Sequence, residues 1–254
     1  MFLGPEVPEL IAHVRGSCPE HFRLAEDLNL FANSWIFSTR PTTEDVQHIL
    51  IGTLVPRLLT AFQGSVIVGE RGMSSEVRLL VRKALDVCFR LVAVAKSEEV
   101  AYAYIRSDET HRRKYLNKLK SLKSVEHTQV ELATIERLRQ EVDDAIKTQS
   151  IEEIGTQWFA ERAGLMDFYN TAYALFSESA HANVRDLEPL IVKSAAGDIE
   201  ALEYGPETSQ ISDLILTSVE TTIIALESAF TVLPGGDREH LARLRARHDE
   251  LFGQ

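Results

Sequence analysis

The chain is poor in cysteine, has no surplus of positive charge, and lacks any repeat or strand-like alternation. Its two cysteines, Cys18 and Cys88, lie far apart and form no metal-type pair. Cys88 sits inside an apolar run and reads as a buried thiol, and two such residues point to a reducing compartment. The formal charge of −11 argues against a broad nucleic-acid surface and leaves room for a local basic patch. The start, Met1-Phe-Leu-Gly-Pro-Glu, lacks a basic segment followed by an apolar run, so no signal peptide is expected. The longest nearly apolar stretch, Val77 to Ala95, is interrupted by Arg78, Arg82, Lys83, Asp86 and Arg90, which excludes it as a membrane span. The expected setting is a bacterial cytoplasm, with no membrane partner. Gly64 to Gly72 resembles a phosphate loop only superficially, because Glu70 and Arg71 stand where Lys and Ser or Thr are needed.

What is present is helical. Of 254 residues, 44% are hydrophobic and 26% charged, ample for one large core. Pro19 opens a helix that Arg40-Pro41 ends. Thr42-Thr-Glu-Asp carries cap-like signals for the next. That helix should bend at Pro56, and Gly64, Gly69 and Gly72 should loosen the chain beyond it. From Ser74 the chain is apolar on nearly every side, the mark of a helix buried among others. Shorter helices are expected over Glu98–Asp108 and along the basic run from His111. Residues 109–149 are expected to protrude as a helical hairpin. Ile199 to Tyr204 has the look of a short strand or hairpin piece. A long helix should run to Leu233, and a charged one from Asp237 to Leu251. The expectation is an all-α single domain, residues 1–254, of roughly eight to ten helices.

Two polar ladders stand out against this apolar background. One is Arg78, Arg82, Asp86 and Arg90 on the most apolar helix. The other is Tyr169, Tyr173, Ser177 and His181 on a helix expected to be continuous over 169–181. Four-residue spacing keeps each ladder on one side of its helix. Arg82 and Asp86 stand at i,i+4, placed for an in-helix pair. A buried arginine costs several kcal/mol (roughly) unless its donors are satisfied, so the first ladder should meet solvent or the second ladder. Joined, they bring together Arg82, Asp86, Ser177 and His181, with Tyr169, Tyr173 and Arg78 around them as ligand-binding candidates. In such a group His181 would act as general acid or base, Arg82 would hold an anion such as phosphate, and Asp86 would orient one of them. Ser177 would serve as a nucleophile activated by His181. The plainer explanation is a satisfied polar network between two buried helices. The other histidines, including His13, His21, His48, His111, His127, His240 and His248, show no ligand spacing. No metal and no cofactor are expected.

The segment Leu79-Leu-Val-Arg-Lys-Ala-Leu-Asp86, followed by Tyr102, Tyr104, Trp158, Gly164, Tyr169, Tyr173, Ser177 and His181, resembles a bacterial family known only as domain of unknown function 5677. The family looks like Leu-Arg, three residues, then an acid on one helix, and Ser, three residues, then His on a later one. Asp86 stands here where Glu is expected. The resemblance spans roughly residues 50–190 and implies an all-α fold with no established activity. A weaker likeness is to the HEPN superfamily, helical proteins that include metal-independent RNases. Their arginine lies four to six residues before the histidine. Here those places hold Leu175, Phe176 and Ser177, so Arg82 would have to serve from the other helix. The first reading is an interaction or sensing protein, by analogy in a stress or phage-defence setting. The alternative is an HEPN-like ribonuclease or phosphodiesterase that acts on nucleic acid as a homodimer, because HEPN sites form at dimer interfaces. A His181→Ala variant separates the two. If it keeps its stability but loses an RNA-cleaving activity, the network-only reading fails; if it loses stability and the wild type cleaves nothing, the enzyme reading fails.

Overall fold

The computed structural model describes residues 2–40, 44–122, 128–179 and 184–253. Helices α1 (Val7–Ser17) and α2 (Pro19–Ser38) lead into α3 (Val46–Gly69) and α4 (Ser74–Lys96). They are followed by α5 (Glu98–Ser121), α6 (Gln129–Gln149) and α7 (Thr156–Ala163). A single helical rod then comprises α8 (Met166–Phe168), a π turn (Tyr169–Tyr173) and α9 (Ala174–Ser179). After the short α10 (Val184–Leu187), strands β1 (Ile191–Lys193) and β2 (Ile199–Leu202) pair antiparallel, before α11 (Ile211–Ala229) and α12 (Arg238–Phe252). The protein is an all-α single domain with one small hairpin.

α4 lies at the centre, packed by α3, α11, α7, α9 and α5. Its apolar positions are buried on several sides: Val81, Ala84, Phe89, Leu91 and Val94 have at most traces of exposure. Phe62, Phe159 and Ile215 are buried core residues of α3, α7 and α11, the helices packed on it. Burying each such side chain stabilises by about 1.5–3 kcal/mol, so this one helix organises most of the core. α3 is long and apolar enough to cross a membrane by length and composition alone. Here it packs on α4, α11 and α2, with Leu58 and Phe62 fully buried.

Several expectations need correction. α3 begins at a cap on Asp45, whose carboxylate accepts from the backbone of Gln47 (2.8 Å) and His48 (3.1 Å); Thr42 and Thr43 lie outside the described residues. α3 then continues past Gly64 to Gly69 as one helix with Pro56 inside it, because burial against α4 and α11 outweighs the local propensity of the glycine. At Gly69 α11 comes close: a Cβ there would stand 3.2 Å from Ile215 Cδ1. α5 does not stop near Asp108. Ser97 caps its start, and it continues through the basic run to Ser121. That run is largely paired: Lys120 bonds Glu136 at 2.6 Å, Arg113 faces Asp143 at 3.9 Å, Arg112 bonds Glu109, and Lys114 meets Glu153. Such exposed pairs are worth little each, but they cancel the positive field that an anionic partner would need. β2 covers most of the strand anticipated over 199–204, while its three-residue partner β1 was too short to show a period.

The α3–α4 turn is fastened to the segment before α11. Gly72 accepts from the Glu207 N–H at 2.8 Å, and Ser74 Oγ donates to the Glu207 carbonyl at 2.7 Å. Gly72 has φ +68°, and a Cβ would meet Pro206 Cβ at 2.9 Å. Gly72→Ala is therefore expected to destabilise by about 2 kcal/mol, through left-handed strain plus a clash. Urea unfolding followed by circular dichroism checks this; an unchanged midpoint would show that the turn relaxes freely.

Candidate functional site

The polar stripe of α4 faces α7 and the α8–α9 rod, and it divides into three parts. Asp86 is the most heavily bonded. Its side chain is 15% exposed. Thr156, the first residue of α7, donates its hydroxyl to Asp86 Oδ1 at 2.7 Å. Arg90 donates to the same oxygen and to the Asp86 carbonyl (2.8 Å), and Lys83 Nζ lies 3.3 Å from Oδ2. Burial pushes the Asp86 carboxyl up, but the charge of Arg90, the bonds from Thr156 and Arg90, and the charge of Lys83 together hold it below the ordinary value. The Arg90 guanidinium also lies 4.9 Å from the Phe159 ring centroid, so α7 is held by a charge, a hydroxyl and a ring face at once.

Asp86 does not neutralise Arg82, contrary to the spacing argument. Side chains on a helix lean toward its N-terminus. Arg90 therefore reaches back onto Asp86, while Arg82 points the other way. An acid four residues before a base is also the better orientation.

Arg82 is half-buried and held by neutral groups. Its Nε donates to Ser177 Oγ at 2.9 Å, and Nη2 donates to the Tyr173 hydroxyl at 3.0 Å. Its guanidinium carbon lies 4.8 Å from the Tyr173 ring centroid. Ser177 in turn donates to the Tyr173 carbonyl at 2.7 Å, which fixes its oxygen as an acceptor for Arg82. Tyr169 and Tyr173 stack at 5.2 Å with 16° between their planes, and both lie against Phe89. The helix expected to be regular over 169–181 carries its π turn at these two tyrosines. π turns replace the i+4 bond with i+5 and recur at functional sites.

The structure thus brings Arg82, Ser177 and Tyr173 together, with Tyr169 behind them, and places Asp86 in a neighbouring cluster. His181 lies outside the described residues. Arg78 is a turn further along α4, bonded to Gln210, beside a cleft of about 440 Å³ that Leu187, Leu190 and Tyr204 also line. Sequence reasoning missed Thr156 and gave Arg90 no partner. Thr156 is 70 residues from Asp86 in the chain, and no periodicity links them. Among the described residues, no group of three or more His, Cys, Asp or Glu side chains is placed to hold a metal ion.

The chemistry differs between the two clusters. At Asp86 an anion is matched by two cations and a hydroxyl. At Arg82 no carboxylate lies within ion-pair distance among the described residues, so its positive charge is oriented but not cancelled. Asp86→Asn should cost about 2 kcal/mol at neutral pH, because it leaves Arg90 half-buried without its anion. A carboxylate with a depressed folded value stabilises above its unfolded pKa and loses that contribution as pH falls through the folded one. The gap between wild type and variant should therefore persist at neutral pH and close as the pH drops below about 4. Chemical denaturation across pH checks this; a gap independent of pH would place the cost in packing.

A model described as a family of unknown function (DUF5677) matches residues 48–198, more than half of the chain. The match takes in α3 to β2's approach and so includes Arg82, Asp86, Tyr173 and Ser177. No curated protein and no solved structure matches the chain. With the helical architecture and this coverage, the chain belongs to the DUF5677 family.

Proposed function

We propose that the protein is a helical sensing module that takes an anionic group at Arg82. One observation carries this reading: the Arg82 guanidinium is held in place by a serine, a tyrosine hydroxyl and a ring face, with no carboxylate within ion-pair distance among the described residues. A fixed guanidinium with donors to spare is suited to planar oxyanions such as phosphate esters. Asp86, Arg90 and Thr156 serve this site by locking α7 to α4, beside the rod that carries Tyr173 and Ser177. The α5–α6 pair, where α6 buries only Val142, supplies exposed surface for a protein partner. Two buried free thiols support a reducing compartment.

Phosphodiester cleavage without a metal is the second reading. It is favoured by the 2.9 Å bond from Arg82 to Ser177, which lies four residues before His181 in the chain. Both readings depend on Arg82. Titration calorimetry with inorganic phosphate and a nucleoside monophosphate should show saturable binding that weakens tenfold or more in Arg82→Gln, about 1.4 kcal/mol or above. Arg82→Lys should fall between the two, since it keeps the charge and loses the fork. No binding by wild type, or equal binding by Arg82→Gln, overturns the proposal. RNA cleavage in the presence of EDTA, lost in Arg82→Gln, would replace it with the enzymatic reading.

A further inference from the structure

We propose that a second site, for a small organic ammonium ion, lies in the cleft between the start of α2, the start of α11 and the end of α12. This cleft has a volume of about 670 Å³. Ser17, His21, Ser212 and Asp213 supply its polar groups, with Leu216 and Phe252 among its apolar ones. It does not depend on the Arg82 reading, and its lining residues lie outside the 48–198 segment that matches the family.

His21 gives the first indication. Its Nδ1 is buried and has no hydrogen-bond partner among the described residues. Leaving such a nitrogen unsatisfied costs about 1–3 kcal/mol, a cost that a bound donor would remove. Burial pushes the His21 value down, more than Asp213 and Glu20 raise it, so the ring is neutral at neutral pH and one of its nitrogens is an acceptor. Asp213 gives the second. Its exposed carboxylate acts on His21 but makes no ion pair or side-chain hydrogen bond among the described residues.

The sign of the charge selects the ligand. Among the described residues the lining contains no Lys or Arg. The start of α11 favours an anion with only about half a unit charge, and Asp213 places a full negative charge in that same turn. In the cleft an ammonium group can donate to the Asp213 carboxylate and to serine oxygens, and a turn of the His21 ring would bring its buried Nδ1 to face the same space. The ligand's methylenes can lie on Leu216, with the cation near the exposed Phe252 ring. Burial raises the Cys18 thiol, so this residue stays protonated and adds no thiolate.

Titration of the full chain with spermidine tests the site, followed by calorimetry and the ring resonances of His21. We expect saturable binding that shifts those resonances and weakens about tenfold in Asp213→Asn. Arg82→Gln and Glu239→Gln should leave it unchanged; the latter removes an acid that is 88% exposed elsewhere, which controls for attraction to the chain's overall negative charge. Sorbitol and inorganic phosphate should not compete. Absence of saturable binding, an equal effect of Glu239→Gln and Asp213→Asn, or phosphate displacing spermidine would each overturn the proposal. Circular dichroism of Asp213→Asn confirms that the exposed substitution leaves the fold intact.

Discussion

The fold depends on a single constraint: α4 is buried among α3, α5, α7, α11 and the α8–α9 rod, yet carries three arginines and an aspartate along one stripe. A guanidinium cannot enter such a core without partners, because desolvation alone costs several kcal/mol (roughly). The stripe must therefore emerge where other polar groups wait. α7 and the α8–α9 rod supply them, and their positions follow from that need. Thr156 sits on Asp86, Phe159 under Arg90, and Tyr173 and Ser177 on Arg82.

The stripe is not uniform. Arg90 and Asp86 neutralise each other and join two helices, which is structural work. Among the described residues Arg82 is oriented without being neutralised. Neutral hydroxyls and a ring face satisfy its geometry. The π turn at Tyr169–Tyr173 belongs to the same local economy: the helix departs from regular bonding where two stacked rings meet Phe89 and one hydroxyl meets Arg82.

Much of this was readable in advance. The near-continuous apolar character of Val77–Val94 marks α4 as central, and the four-residue steps mark its polar stripe. Pairing that stripe with Tyr173 and Ser177 followed from the need to satisfy Arg82. The limits are equally physical. Local signals suggested a break at Gly64 and another near Asp108, and in both places the helix continues, α3 on the strength of its burial in the core. Spacing alone paired Asp86 with Arg82, whereas the lean of helical side chains gave it to Arg90. His21 looked like one scattered histidine among several, because nothing in the chain announces that α11 and α12 will close around it.

The sequence by itself determined the helical class, the identity of the buried central helix and the residue types available on its polar face, since these follow from periodicity and composition within short windows. Only the tertiary structure decided which threonine caps the aspartate, which hydroxyls hold Arg82, and where a cleft forms beside an orphaned imidazole. Those outcomes rest on contacts between segments 70 to about 200 residues apart, such as Thr156 with Asp86 and the α2–α11 cleft. Such contacts are set by how whole helices pack, and packing leaves no local trace in the chain.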